Sequence, residues 1–227
     1  MAATLRFRNL IRSVRSEGIG SSAKAYWSRF RERFDETRLG IDSDQIIGLD
    51  KLALACEERR DHVPTKFRDF RAMKAAFRPT SQSEVFVDYG AGLGRMVILA
   101  ATLPFKKVIG IEISEQLAER ARDNVRQCRA KLQCRDIEIF TIDATKFEIP
   151  PEVTTMFFYN PFVGSILSDV LRNIRHSYDT RPRRLRIFCS VPDGGAFDSQ
   201  IRKVEWLRLE KTIKLGDNSS CLIFAVK

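Results

Sequence analysis

Val85-Phe86-Val87-Asp88-Tyr89-Gly90-Ala91-Gly92-Leu93-Gly94-Arg95 runs from an apolar stretch of strand length, through an acidic residue and three alternating glycines, into a helical stretch. A strand, a tight glycine turn and a helix are the opening of a βα unit, and such a turn marks where a nucleotide-type ligand meets the carboxyl end of a strand. Glycine suits the turn because it tolerates unusual backbone angles and lets a ligand come close to the backbone. A dinucleotide fingerprint would carry its third glycine three places after Gly92. Arg95 stands there and Gly94 comes one residue early, which disfavours NAD.

Outward from this stretch, short β-rich runs alternate with helical ones, the pattern of a parallel sheet with crossover helices. Strands are expected near Val85–Tyr89, Lys107–Ile113, Ile137–Asp143, Thr154–Asn160 and Leu185–Val191, and helices at Arg95–Leu103, Glu115–Lys131 and roughly Ile166–His176. Trp206–Leu215 and Ser220–Val226, separated by Gly216-Asp217-Asn218, read as two antiparallel strands that close the sheet. The fold class is therefore α/β: a Rossmann-like, doubly wound, mostly parallel seven-stranded sheet with an antiparallel C-terminal end and an N-terminal helical extension. We place the extension at 1–80 and the Rossmann-like domain at 81–227. Pro79 and the polar run Thr80–Ser83 separate them.

Two further carboxylates fall at strand ends in register with Asp88. Glu112 closes the second strand about twenty residues after the glycines, where a carboxylate can accept hydrogen bonds from two ribose hydroxyls. Asp143 closes the third. Either could instead cap the element that follows, as Glu112 before Ser114 is placed to do. After the fourth strand, Asn160-Pro161-Phe162 offers a polar acceptor and an aromatic, or simply a proline-stiffened turn.

The acidic residue followed by Gly-x-Gly-x-Gly resembles motif I of class I methyltransferases. That resemblance implies S-adenosylmethionine as cofactor and S-adenosylhomocysteine as product. It implies that Asp88 lies near the cofactor's amino-acid end, that the backbone of Tyr89, Gly90, Ala91 and Gly92 lines the methionine part, and that Glu112 and Ile113 hold the ribose. By the same resemblance Asp143 and Ala144 face the adenine, and Tyr159, Asn160 and Phe162 stand where the transferable methyl would lie. The closest named likeness is to lysine methyltransferases of the disruptor-of-telomeric-silencing type and their bacterial look-alikes, over most of Val63 to Asp193. Val63-Pro64-Thr65-Lys66-Phe67 resembles their cofactor-covering segment, with Thr65 at its hydroxyl position. Ile109-Gly110-Ile111-Glu112 and Phe157-Phe158-Tyr159-Asn160-Pro161-Phe162 follow at similar spacing. Phe34-Asp35 and Gly40-Ile41-Asp42 look like the lead-in of bacterial relatives. A departure is that the eukaryotic enzymes have paired asparagines, whereas Asn160 is followed by Pro161. This brings the motif nearer to the Asn-Pro-Pro-aromatic sequence of amino-directed nucleic-acid methyltransferases, without its second proline. Methyl transfer to nitrogen is expected. The acceptor stays open between a protein lysine, a nucleic-acid base and a small amine, and a non-catalytic binding module is the competing class of function.

Charge and composition set the frame. The chain has 227 residues and a net charge of +10, which favours acidic partners. Arginines concentrate before Gly40, where Leu10, Ile11 and Val14, then Tyr26, Trp27 and Phe30, predict two short amphipathic helices broken near Gly18–Ser22. This basic segment reads as a helical cover, as an arm for nucleic acid or a membrane surface, or as a transit peptide. Further helices are expected over Asp50–Phe77. The cluster Arg181, Arg183, Arg184 and Arg186 adds to a polyanion-facing surface. No run approaches the ~18–20 apolar residues of a membrane span, so a soluble cytoplasmic protein is expected. Five cysteines without a Cys-x-x-Cys pair read as reduced thiols, and two histidines with no Cys/His cluster give no expected metal site.

Overall fold

The computed structural model describes residues 19–52, 54, 56–216 and 218–227. The chain divides into two compact units, at 1–39 and 40–227. In the first, the described part is one helix, α1 (Ile19–Leu39). Of the interruption expected near Gly18–Ser22, the helix shows none at Gly20, Ser21 and Ser22, and Gly18 lies outside the described residues. One glycine costs roughly 1 kcal/mol in a helix, too little to end a run that continues through Ala23, Lys24 and Ala25. The helix expected around Leu10, Ile11 and Val14 lies outside the described residues.

The second unit begins with a 3-10 turn at Leu49–Leu52 and then α2 (Phe67–Phe77). The helix expected from Asp50 amounts to that single turn. The run Glu57–Asp61 has no apolar stripe to bury, and Pro64 disfavours helical backbone before it. Instead, residues 58–62 form a strap held by isolated bridges, Ile47 to His62 and Arg59 to Phe162.

The βα alternation follows as β1 (Val85–Tyr89), α3 (Arg95–Ala101), β2 (Lys107–Glu112), α4 (Glu115–Cys128), β3 (Ile137–Thr141), β4 (Val153–Phe158), α5 (Gly164–Thr180), β5 (Arg186–Pro192), a short α6 (Ala196–Ile201), β6 (Leu207–Lys214) and β7 (Ser219–Val226). The strand order is β3-β2-β1-β4-β5-β7-β6. The first five strands are parallel, while β7 pairs antiparallel with both β5 and β6. β1 is central and every residue in it is buried, as a strand covered on both faces must be. One face packs Phe86, Phe157 and Phe188 against Phe77 of α2, whose ring stacks on Phe188 at 4.2 Å. The other stacks Tyr89 on Phe158 at 4.6 Å. The order reverses between β1 and β4, so a crevice opens there at the carboxyl ends of the strands, where ligands of open α/β sheets bind.

Among the described residues, no helix is long and apolar enough to cross a membrane.

Candidate functional site

The turn after β1 is built on three positive φ angles: Gly90 at 79°, Gly92 at 53° and Gly94 at 80°. An L side chain is strained in each. The amides of Gly90 and Ala91 both donate to the Ile111 carbonyl at 2.9 Å, which folds the loop over the end of β2. Neighbouring groups claim the space left by the absent side chains. A Cβ on Gly90 would lie 2.8 Å from Pro161 Cβ, and one on Gly92 would lie 2.1 Å from His62 Nδ1. The glycines thus admit the Asn160-Pro161-Phe162 loop and the strap, in addition to whatever ligand the loop receives.

Glu112 is buried and its carboxylate accepts from the Gly92 amide at 2.8 Å and the Ser114 amide at 2.9 Å. Burial raises its pKa against the pull of backbone amides from Ser114, Gly92 and Ile113. Asp88 lies close behind it, fully enclosed, and burial together with the Glu112 charge pushes its pKa up to about 8. Two adjacent buried acids with few donors form a site that a cation would neutralise. Asp143 lies just past the end of β3, where it starts a 3-10 turn, accepting from Thr145 N at 2.9 Å and Thr145 Oγ1 at 2.7 Å. Its second oxygen faces Arg59 at 3.3 Å. Partial burial works to raise its pKa, but Thr145 and then Arg59 leave it below the usual range.

These groups border one cavity of about 100 Å³, lined among others by Thr65, Asp88, Gly90, Ala91, Glu112, Ile113, Asp143, Ala144, Tyr159 and Phe162. The structure thus brings together most of the residues singled out in the sequence. Gly92 lies beneath His62 and not on the cavity wall. The Tyr89 side chain points into the core against Phe158, so only its backbone can serve the site. Asn160 does not border the cavity as Tyr159, Pro161 and Phe162 do; it has φ 47°, left-handed backbone that asparagine tolerates better than most residues.

Three participants were not foreseen. Arg95, noticed in the sequence only as a missing glycine, is buried and ties the upstream segment to α3. Its Nε donates to Ser43 Oγ at 2.8 Å, its guanidinium reaches the Thr65 carbonyl at 3.2 Å and Asp44 at 3.2 Å, and it lies over the Phe67 ring. Arg59 meets Asp143, and His62 covers the glycine loop. Burial first, then the charges of Arg95 and Arg120, lower the His62 pKa to about 4, so the imidazole is neutral at pH 7, and its buried Nε2 has no hydrogen-bond partner among the described residues. The one sequence signal for these residues is a charged cluster, Glu57 to Asp61, directly before Val63-Pro64-Thr65. Among the described residues no three His, Cys, Asp or Glu side chains are grouped to hold a metal ion.

Residues 86–176 match a family model described as a methyltransferase domain. No curated protein matches the chain significantly. Among solved structures, an RNA methyltransferase from Salinibacter ruber in complex with S-adenosyl-L-homocysteine is 23% identical with a TM-score of 0.53, over 72% of this chain and 94% of that one. A precorrin-6y C5,15-methyltransferase from Geobacter metallireducens is 18% identical with a TM-score of 0.57, over 83% and 97%. A magnesium protoporphyrin IX methyltransferase from Synechocystis with bound S-adenosylmethionine is 17% identical with a TM-score of 0.50, over 70% and 76%. The likeness is to the class I fold at large and gives no support to the disruptor-of-telomeric-silencing lineage in particular. The chain thus has the Rossmann-like seven-stranded fold of S-adenosylmethionine-dependent methyltransferases, and the stretch that resembles a methyltransferase domain spans its switch point.

Proposed function

We propose that this domain transfers a methyl group from S-adenosylmethionine to a nitrogen acceptor presented at the Asn160-Pro161-Phe162 loop. The observation that carries this reading is the convergence of three strand-end carboxylates and that loop on one cavity at the switch point. The residues fit the cofactor. Asp88 and Glu112 form an enclosed acidic site suited to the ammonium group of its amino-acid part, which would draw the Asp88 carboxyl into its charged form. Two of the roughly four lone-pair positions on the Glu112 carboxylate are used, which leaves room for ribose hydroxyls. Asp143, once released by Arg59, can accept from the adenine amino group.

When bound, the cofactor supplies an electrophilic sulfonium methyl, and such chemistry asks the protein for alignment more than for acid or base catalysis. This chain's residues contribute the surroundings. Tyr159, Phe162 and Ile166 make an apolar wall that excludes water and favours the neutral amine, whose lone pair is the nucleophile. The Asn160 carbonyl or side-chain oxygen can accept a hydrogen bond from the acceptor N–H. With the cofactor bound, the nitrogen would take the methyl as its bond to sulfur breaks and would lose its surplus proton to solvent.

Half of the basic cluster singled out in the sequence is engaged inside the fold. Of the arginine cluster, Arg183 is spent on the carbonyls of Val153 and Ser177, and Arg186 on the Ala76 carbonyl and Glu84. Arg181 and Arg184 are the exposed pair. The test begins with melting temperature in S-adenosylmethionine, S-adenosylhomocysteine and NADH, where the first two should stabilise and the third should not. Labelled methyl is then followed into protein, RNA and small-amine fractions of a lysate. Tight cofactor binding with no transfer to any fraction would favour the binding module.

A further inference from the structure

We propose that Glu58 is a positioning residue for methyl transfer, holding the acceptor loop in register with the cofactor site; the inference rests on the function proposed above. Helix α5 starts without a cap of its own. Val163 provides no side-chain hydrogen bond at the N-cap, and the first turn contains no acidic residue. The first amides of a helix need partners from outside it: Gln200 Oε1 accepts from Gly164 N at 2.8 Å, and Glu58, 107 residues before Ser165, supplies the acceptors for the next two. Its Oε1 accepts from Ser165 N at 2.9 Å, while Oε2 accepts from Ser165 Oγ at 2.7 Å and Ile166 N at 3.2 Å. The backbone repeats the tie: Val163 N donates to the Glu58 carbonyl at 2.7 Å, and Arg60 N to the Pro161 carbonyl at 3.1 Å. The Ser165 hydroxyl first, then the amides of Ser165 and Ile166, hold the Glu58 carboxyl below its usual range. Position 164 is shaped to receive it: Gly164 has φ 63°, and a Cβ there would lie 2.2 Å from Glu58 Oε1.

A helix that only needs a cap can take one locally, as α4 does when Ser114 Oγ accepts from Leu117 N. A cap brought from the strap does something a local serine cannot. It fixes the loop to residues whose neighbours sit on the cofactor side, because Arg59 meets Asp143 and His62 lies over Gly92. The clamped residues in turn bear on the chemistry. Pro161 abuts Gly90, and Phe162 and Ile166 wall the cavity. Through Glu58 the acceptor wall and two cofactor-side strand ends share one short piece of chain. In-line transfer depends steeply on such alignment, and a misplacement of about 1 Å can cost on the order of a hundredfold in rate.

The experiment compares full-length Glu58→Ala, Glu58→Gln and Ser165→Ala with the unaltered protein. Calorimetry gives the S-adenosylhomocysteine Kd, and labelled-methyl assays give kcat and KM on whichever fraction accepts methyl. We expect Kd to stay within about threefold in all three, while kcat falls roughly thirtyfold or more in Glu58→Ala and by smaller factors in the other two, which each keep part of the clamp. A purely capping role would leave kcat unchanged in Glu58→Ala while hydrogen exchange at Ser165 and Ile166 accelerates, and that result overturns the proposal. So does a parallel loss of Kd and kcat, which would make Glu58 a general structural support. If Glu58→Ala does not fold, the other two carry the same test. Cofactor binding without transfer by the unaltered protein would instead strike at the enzymatic reading itself, and this proposal would fall with it.

Discussion

Replacing Glu112 by glutamine separates two duties that one carboxylate performs. In the structure Glu112 braces the glycine loop, with Oε2 taking the Gly92 amide at 2.8 Å and Oε1 the Ser114 amide at 2.9 Å. Glutamine has one acceptor oxygen, so one amide faces an NH₂ group instead. Hydrogen bonds to charged groups contribute about 1.5–3 kcal/mol each. The neutral amide also escapes the burial penalty that raises the Glu112 pKa, so a net loss of about 1–2 kcal/mol is expected. For a chain of this length that is roughly 2–8 °C in Tm. If the remaining lone pairs also hold the ribose hydroxyls, losing both bonds costs about 3 kcal/mol, on the order of 150-fold in Kd. The assay is Tm with and without S-adenosylhomocysteine at a hundred times the unaltered protein's Kd. There the ligand adds about 2.7 kcal/mol, roughly 5–10 °C, whereas a 150-fold weaker site would gain only about 0.3 kcal/mol, near 1 °C. A lowered baseline with the full ligand shift retained would refute the cofactor role and leave Glu112 as a brace. An unchanged baseline would refute the bracing geometry.

Three other outcomes follow from the same site. Asp88 holds its proton to about pH 8 in the folded protein and to about pH 4 when unfolded, so its contribution to stability declines as pH rises between those values and is absent above them. A ligand ammonium group set beside Asp88 should expel that proton: calorimetry at pH 7 in buffers of different ionisation enthalpy should show release approaching one proton per S-adenosylhomocysteine bound, and none released would contradict the placement. The cavity of about 100 Å³ is smaller than the roughly 300 Å³ or more typical of ligand sites, so the His62 side chain over Gly92 is expected to move aside on binding. His62→Ala removes the side chain over Gly92 and should tighten S-adenosylhomocysteine binding roughly fivefold by raising the share of open molecules; weaker binding would show that His62 is a ligand contact. Gly94→Ala forces φ 80° on an L residue and brings a Cβ to 3.0 Å from Ala121 Cβ, which should cost about 2–3 kcal/mol and lower Tm by roughly 4–12 °C; a shift under 2 °C in a melting scan would contradict it.

The sheet was legible because its strands are short apolar runs punctuated by turn residues, and all seven appear within two or so residues of their expected bounds. Where β3 and β4 end earlier than composition implies, local chemistry is the reason. Asp143 turns back to cap its own 3-10 turn, and Asn160 adopts left-handed backbone. Neither event changes the apolar pattern on which the strand assignment relied. Short α6, behind Gly194 and Gly195, has too few residues for a helical period to show.

What stayed hidden was the strap. Its residues show no periodicity, and their meaning lies in partners far along the chain: Glu58 to Ser165, Arg59 to Asp143, His62 to Gly92. A charged run read alone is a solvated surface; here Glu58 is spent on a helix start and Arg59 on a strand end, while Arg60 and Asp61 bond nearer by in the chain. The same consideration changes how the glycines are read. A ligand-approach role and a packing role call for the same residue, so the sequence motif could not separate them. The structure shows the packing role already in force, with Pro161 against Gly90 and His62 against Gly92. A loop that serves as both cofactor floor and seat for the acceptor-side elements links the two half-sites by contact.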